Sequence, residues 1–206
     1  LYEDSKRNIW ISTRRFGLYV FNPSKKTFTH LGQSQGKLNS NIVYDVIQDN
    51  LGTYWIATDG GGINLYDSQK GSFTYIKKQE YDKYSLYSNA IRTFYIDKAQ
   101  SLWIGTTKSG VNVIHKEQKK FFTLREQPFN KNTLSGSNIL SIFEDKDKNI
   151  WIGTDGDGLN KYNPRTGNIE QFIDEPNNPE SLPGKVIKSI YEDSDKNLWL
   201  GTYADG

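Results

Sequence analysis

Two short acidic segments are the first candidates for chemistry in this chain of 206 residues. Residues 145–149 and 193–197 both read D-x-D-x-N, which is how the calcium-binding loop of an EF-hand begins. The rest of the loop does not match, because the next residue is Ile150 or Leu198 instead of glycine. Aspartate and asparagine also favour tight turns by bonding to their own backbone. We therefore interpret both segments as turns and predict no metal site and no cofactor.

Acid–base or nucleophilic catalysis has few candidates. The chain has two histidines, His30 and His115, and no cysteine. Hydrolysis needs paired carboxylates or a Ser-His-Asp group, and the histidines are not clustered with such partners in any motif. The carboxylates are plentiful but lie in turns that recur along the chain, and a recurring residue is better explained by structure than by a single catalytic step. We predict no catalytic residue in this chain.

The elements that position these residues are set by an internal repeat. The tryptophans are separated by 45, 48, 48 and 48 residues. Each tryptophan lies in a similar short sequence motif, and a typical example is Ile150-Trp151-Ile152-Gly153-Thr154. A period in this range is characteristic of repeat architectures. The five tryptophans are Trp10, Trp55, Trp103, Trp151 and Trp199.

One unit predicts four short strands. Residues 138–145 form an apolar run of strand length, strand A, and residues 150–154 are rich in β-branched and aromatic residues, strand B. Residues 159–163 follow a turn that contains two glycines, strand C, and the more polar residues 168–172 form an outer strand D. We attribute the tryptophan of strand B to packing between neighbouring units.

Four antiparallel strands and one tryptophan per unit predict an all-β fold, a β-propeller of four-stranded antiparallel blades. About 4.5 blades are present, because the first unit has only the end of strand A and the last has only strands A and B. We treat residues 1–206 as one partial propeller that blades outside this sequence would complete. The units are approximately 1–40, 41–88, 89–137, 138–185 and 186–206.

Composition excludes several classes of function. The formal net charge is +2, from 26 basic and 24 acidic residues without long runs, so a dedicated nucleic-acid-binding protein is disfavoured. No stretch approaches the roughly 18 apolar residues of a membrane helix. We expect any membrane attachment to lie in segments outside this sequence.

The segment Asn149–Asn160 (NIWIGTDGDGLN) closely resembles the two-component regulator propeller repeat. It recurs at residues 197–202 and, less closely, at 54–64, and the resemblance extends over essentially the whole chain. This repeat is typical of the periplasmic sensor region of hybrid two-component histidine kinases from Bacteroides-type bacteria. The resemblance implies seven-bladed rings, of which this chain would supply about half of one.

The resemblance also implies a function. It implies a periplasmic part of an inner-membrane receptor that binds glycan-derived oligosaccharides and relays occupancy to a histidine kinase elsewhere in the full-length protein, through rearrangement of a homodimer. A non-catalytic scaffold that binds a protein partner remains an alternative. A third possibility is an enzyme that cleaves a glycan through carboxylates not repeated among the blades. A product assay would distinguish it from the two non-catalytic alternatives.

Ligand-binding candidates follow from propeller geometry. The turns between strands B and C, and the connections from strand D to the next strand A, emerge at one end of the blades, where ligands tend to bind. Aromatic rings and planar polar groups there suit sugars, and basic groups suit sulfated or uronic sugars. The D–A connections also carry Tyr84, Tyr87, Arg125 and Asn132. We interpret Asn41, Asn89 and Asn138 as an amide repeated where strand A begins, with Lys185 in its place in the last unit. The candidates are Arg14, Arg15, Phe16, Asp59, Asn89, Lys108, Asn138, Asp157 and Tyr203.

Overall fold

The structure is a computed structural model that describes residues 1–82, 84–115 and 121–203. These residues form antiparallel strands and one short 3-10 helix, Gln33–Gln35. The chain divides into two compact units, residues 1–94 and 95–206, and each unit is considered separately.

The first unit contains two four-stranded sheets whose strands follow chain order. The strands of the first sheet are β1 (Tyr2–Glu3), β2 (Ile9–Ser12), β3 (Leu18–Asn22) and β4 (Thr27–Leu31). Those of the second are β5 (Val43–Gln48), β6 (Thr53–Thr58), β7 (Gly62–Asp67) and β8 (Ser72–Ile76). Strands β2, β3, β5 and β6 all contribute to a buried apolar cluster, so the two sheets pack face to face.

The second unit contains two further four-stranded sheets and one two-stranded sheet. The strands of the third sheet are β9 (Ile91–Ile96), which begins in the first unit, β10 (Leu102–Thr106), β11 (Val111–Ile114) and β12 (Phe121–Leu124). Those of the fourth are β13 (Ile139–Glu144), β14 (Ile150–Thr154), β15 (Leu159–Tyr162) and β16 (Ile169–Phe172). Strands β17 (Ile187–Glu192) and β18 (Leu198–Thr202) form the fifth sheet.

The fourth sheet shows why the sequence folds in this way. Strand β14 carries three apolar residues in a row and is largely buried, as expected for a strand between two others, whereas the outer strand β16 is more exposed. Strands β13 and β14 are joined by a tight turn in which Lys148 adopts a left-handed conformation with φ 68°. The observed strands agree with the predicted strands A to D to within one or two residues.

The predicted fold class is confirmed: the structure is all-β, with antiparallel four-stranded blades. The short β1 and the two-stranded last sheet also match the expected partial blades. The tryptophans pack as predicted in two places, since Trp10 lies against Tyr54 of the second sheet and Trp103 lies against Tyr162 of the fourth. The seven-bladed ring and the exact boundaries of the five units stay predictions.

Candidate functional site

The acidic segments are turns in the structure. The carboxylate of Asp145 accepts hydrogen bonds from the backbone N–H and the side-chain amide of Asn149 and from Nε1 of Trp151, at 2.8 to 2.9 Å. Burial alone would raise the pKa of Asp145, but these hydrogen bonds outweigh burial and hold the pKa below its ordinary value. Asp193 accepts the same three bonds, and those from Trp199 and Asn197 lower its pKa to about 2. Each first aspartate thus anchors its own blade's tryptophan.

The histidines and the acidic turns have identifiable partners within the fold. In the part of the chain that the structure describes, no three His, Cys, Asp or Glu side chains are grouped to hold a metal. His30 lies in β4, where Nε2 is 2.7 Å from the carbonyl oxygen of Phe16. Nδ1 of His115 is 3.0 Å from Oγ of Ser101, but Asp97 accepts a bond from the Ser101 backbone and from Trp103, not from the histidine. The histidines therefore make structural contacts.

The B–C corner of the first sheet carries three predicted residues, Arg14, Arg15 and Phe16, and all three side chains are exposed. The backbone of this corner is held in place, because Phe16 N–H donates to Oγ1 of Thr13 at 3.0 Å. The Thr13 hydroxyl in turn donates to the carbonyl of Gly17 at 2.7 Å. This corner is therefore an exposed surface with a hydrogen-bonded backbone.

Two other predicted residues of the first unit have structural partners. Asp59 accepts a long hydrogen bond of 3.5 Å from the hydroxyl of Tyr44. Oδ1 of Asn89 accepts from the backbone of Lys78 at 2.7 Å, and Asn41 makes the same bond to the backbone of Gln33. The asparagine before strand A therefore ties down the connection that leads into the blade.

The predicted series of amides needs one correction. The carbonyls of Asn41 and Asn89 accept from Gly17 and Gly62, and in the later blades Ser137 and Lys185 accept the matching bonds from Gly110 and Gly158. Asn138 instead corresponds to Ile42, since the carbonyl of each accepts from the aspartate just after strand B. The alignment that placed Asn138 in the amide series was thus wrong by one residue, because an asparagine happens to follow Ser137.

The remaining predicted residues lie in the second unit. Lys108 is exposed at the B–C turn of the third sheet with φ 63°, and the amide of Asn138 donates to Asp155 at 2.9 Å. The ammonium of Lys188 lies 4.0 Å from the centre of the Tyr203 ring. Of the residues predicted on the D–A connections, Asn132 accepts from the backbone of Ile169 at 2.7 Å and so covers the edge of β16.

A cleft of about 630 Å³ lies in the second unit at the predicted end of the blades. The connection into the fourth blade contributes residues 126–131 and 133–135, and the B–C corner contributes Gly156 and Asp157. Gln171 of β16 and residues 173–174 and 185 of the connection that follows complete the lining. The predicted residue Asp157 therefore lies in a cleft, where its backbone N–H donates to Oγ1 of Thr154 at 3.0 Å.

The position of Asp157 depends on a buried glycine. A β-carbon on Gly136 would overlap the side chain of Asp157, so a larger residue at position 136 would force Asp157 to move. The cleft also contains a loose ion pair, because Nζ of Lys185 is 3.6 Å from Oδ2 of Asp174. Its lining carries three acidic and two basic side chains, Glu126, Asp157, Asp174, Lys131 and Lys185.

One cleft residue, Phe129, was missed by sequence reasoning. Its side chain is fully exposed at the tip of the loop 127–133, and it also lines the cleft. The signal that could have found it is the same period of 48 residues, which places an aromatic residue, Tyr81, at the corresponding position of the preceding connection. Tyr81 is fully exposed as well.

A protein-family model described as "Two component regulator propeller" matches three segments of the chain, residues 37–60, 133–156 and 181–204. All three segments include the aspartate and the tryptophan of a blade and the first residues of its B–C corner. No curated protein matches the chain significantly. No helix among the described residues is long and apolar enough to cross a membrane.

Solved structures with a similar fold include extracellular domains of two-component systems. The extracellular domain of a protein described as hybrid two component system BT4673 from B. thetaiotaomicron is 26% identical, with a TM-score of 0.77 over 98% of this chain and 28% of the other. That of BT3049 from the same organism is 22% identical, with a TM-score of 0.66 over 99% of this chain and 32% of the other. PorZ of Porphyromonas gingivalis, a surface component of the type-IX secretion system, shares the fold at 19% identity, with a TM-score of 0.72 over 98% of this chain and 30% of PorZ.

The chain thus spans about a third of the length of each of these proteins. A fold does not by itself fix a function, so the activity of the whole proteins is not transferred with the fold. The three matched segments of this chain are two component regulator propeller repeats, and its blades have the fold of the extracellular domains of hybrid two-component systems.

Proposed function

We propose that this chain is part of a ligand-sensing propeller of a hybrid two-component sensor that binds glycan-derived oligosaccharides. The observation that carries the proposal is the cleft of about 630 Å³ beside Phe129 and Asp157. Its volume lies in the range of small-molecule sites, and it opens at the end of the blades where variable corners and connections meet.

The chemistry of the lining supports a sugar as the ligand. Pyranose rings have apolar C–H faces that pack on aromatic rings, and their hydroxyls both donate and accept hydrogen bonds. Phe129 offers an exposed aromatic face, Asp157 offers an acceptor, and Lys185 offers a donor beside Asp174. No catalytic step is part of the proposal, and the propeller acts by binding.

The remainder of the receptor is part of the same proposal. Blades outside this sequence would complete the ring, and a homodimer would relay occupancy across the inner membrane to a histidine kinase. The propeller would lie in the periplasm. The extracellular position of the similar domains from B. thetaiotaomicron supports this location.

A protein-binding scaffold is the second candidate. The fully exposed side chains of Tyr81 and Phe129 favour it, because exposed aromatic residues are also common at protein interfaces. This alternative shares the fold but predicts no response to sugars.

Thermal unfolding in the presence of oligosaccharides distinguishes the two candidates. A ligand present at 100 times its Kd stabilises the folded state by about 2.7 kcal/mol. For a cooperative unit of roughly 150–250 residues this raises Tm by about 5–10 °C. We expect such a rise with one class of glycan, whereas a protein-binding scaffold predicts no rise with any of them.

Variants then locate the site. Asp157→Ala removes a cleft acceptor and should reduce the rise in Tm, and Arg165→Ala, on the exposed C–D turn at the other end of the same blade, is the matched control. Arg14→Ala and Lys108→Ala test the other B–C corners in the same way. A rise that Asp157→Ala leaves intact but Arg14→Ala abolishes would place the site at the first blade instead.

A further inference from the structure

Three connections between blades share one hydrogen-bonded loop. In each, a hydroxyl six residues later accepts from the first backbone N–H of the loop, in the pairs Gln79–Ser85, Gln127–Thr133 and Glu175–Ser181, at 3.0 to 3.2 Å. The fourth residue of each loop also donates its backbone N–H to the carbonyl of the first. The repeat therefore builds the same two hydrogen bonds in each of the three connections.

The third residue of this loop is its tip, and it differs among the three connections. The tip residues are Tyr81, Phe129 and Asn177. Phe129 and Asn177 both adopt the left-handed conformation, with φ 64° and 75°. Asparagine tolerates this conformation well, whereas it is unfavourable for a bulky aromatic residue. Phe129 is therefore strained where Asn177 is not.

The fold gains no packing from the ring of Phe129. The side chain is fully exposed, so the ring contributes no buried surface that would offset the unfavourable backbone. The neighbouring Leu134 provides the core contact of this connection, since it belongs to the buried cluster of the second unit. A strained, exposed aromatic residue on an ordered loop points to a role outside folding.

We propose that Phe129 is the residue on which the ligand of the cleft stacks, and that the tip position of this loop sets the ligand preference of a blade. This inference rests on the proposed function, and it assigns to the cleft a sugar with an apolar ring face. Because Phe129 lines the same cleft as Asp157, an oligosaccharide in the cleft would pack one ring on Phe129 while a hydroxyl of the same or a neighbouring sugar contacts the carboxylate.

The charge of the cleft narrows the ligand class to uncharged sugars. Three carboxylates against two ammonium groups leave the lining with a net negative charge. One of the ammonium groups, that of Lys185, is already beside Asp174 at 3.6 Å. Such a lining repels the sulfate or carboxylate of an anionic sugar, while its oxygens accept hydrogen bonds from neutral hydroxyls.

The test compares two substitutions at one position in the full chain. Phe129→Asn places at the tip the residue that the next loop uses at Asn177, and Phe129→Trp keeps an aromatic face. The control is Leu51→Asn, which removes another highly exposed apolar side chain, from the A–B turn of the second blade. Binding of maltohexaose, cellohexaose, xylohexaose and a chondroitin sulfate hexasaccharide is measured by calorimetry, and Tm is measured without ligand.

We expect Phe129→Asn to weaken binding of the neutral hexasaccharide by about tenfold while leaving Tm unchanged or higher. Phe129→Trp and Leu51→Asn should bind within about threefold of the unsubstituted protein. Phe129→Asn would then lower affinity without lowering Tm. If Phe129 only supported the fold, its substitution would lower Tm as well.

Three results would overturn the inference. If the unsubstituted protein binds a neutral sugar and Phe129→Asn binds it equally well, the stacking role is wrong and the proposed function stands. If only the chondroitin sulfate hexasaccharide binds, the ligand class is wrong. If none of the four sugars binds, both the inference and the sugar-sensing function are overturned.

Discussion

Trp10 and Tyr54 stack with their ring centroids 4.1 Å apart, and both donate a hydrogen bond to the same oxygen of Asp4. Trp10 and Asp4 belong to the first blade and Tyr54 to the second, so this group joins two neighbouring sheets. Burial and the bond to Asp4 raise the pKa of Tyr54, which keeps the phenol protonated and able to donate. Loss of the Tyr54 hydroxyl should therefore lower the stability of the first unit.

The change Tyr54→Phe tests this dependence. It keeps the stacked ring but removes a donor to a buried carboxylate, so we expect the free energy of unfolding to fall by about 1–2 kcal/mol. Urea denaturation measures the change. Tyr81→Phe, at a fully exposed tyrosine, is the control and should have an effect below about 0.5 kcal/mol. Equal effects of the two substitutions would contradict the role of the Asp4 contact.

The aspartate that binds each tryptophan should contribute more to the free energy of unfolding where the pair is more deeply buried. Asp97 is buried and accepts from Trp103 and from the backbone of Ser101. Asp97→Ala leaves both buried donors without this acceptor, and we expect a loss of about 2–4 kcal/mol. Asp193 makes the same contact to Trp199, which is 63% exposed, whereas Trp103 is 2% exposed. Asp193→Ala should therefore have a clearly smaller effect, and the same denaturation experiment compares the two.

Two glycines of one turn should respond differently to alanine. Gly60 and Gly62 both have positive φ, 76° and 73°, but a β-carbon on Gly62 would overlap the carbonyl oxygen of Ile76, while one on Gly60 meets nothing. We expect Gly60→Ala to cost about 1 kcal/mol and Gly62→Ala about 2–4 kcal/mol. Thermal unfolding of the two variants checks the order, and a larger loss at Gly60 would contradict the geometry of this corner.

Acid should destabilise the protein through the aspartates that anchor the tryptophans. The pKa values of Asp4 and Asp145 lie below their ordinary value of 3.8 in the folded state, because hydrogen bonds outweigh burial. The unfolded chain therefore binds protons first as pH falls, and the stabilisation is present above 3.8 and lost as pH falls through the folded pKa values.

The change Asp145→Asn isolates this effect. The free energy of unfolding of the unsubstituted protein should decline as pH falls below 3.8 and through the lowered pKa of Asp145, and the decline should be less steep in the variant. Glu180→Gln changes an exposed carboxylate and serves as the control. Parallel curves for Asp145→Asn and the unsubstituted protein would show that this carboxylate does not contribute to acid unfolding.

The blades were predictable from the sequence because their signals are local and repeated. Strand β14 lies at the predicted residues 150–154, since a run of β-branched and aromatic residues between two turns has few other conformations. The spacing of the tryptophans aligned the units without any knowledge of contacts. Asn138 was nevertheless placed in the wrong register, because it lies 13 residues before its tryptophan whereas Asn41 and Asn89 lie 14 residues before theirs. The backbone bonds of Ser137 and Ile42 identify the equivalent positions.

The candidate site was predicted only in part. Asp157 was selected because it lies at a B–C corner, and the structure places it in a cleft. Phe129 and Lys185 were not selected as ligand-binding residues, because the cleft forms only where two connections and one corner meet. The exposure of Phe129 and its left-handed backbone also cannot be read from the residue type, since most phenylalanines are buried with negative φ.

The sequence by itself determined the repeat, the antiparallel strands and the turns, because each of these depends on interactions within about 48 residues. The tertiary structure decided which polar residues are structural and which line a cleft. Asn89 is occupied by the backbone of Lys78, whereas Asp157 remains at the cleft above Gly136. That distinction depends on contacts between segments that the chain brings together only when the blades pack, so no local pattern encodes it.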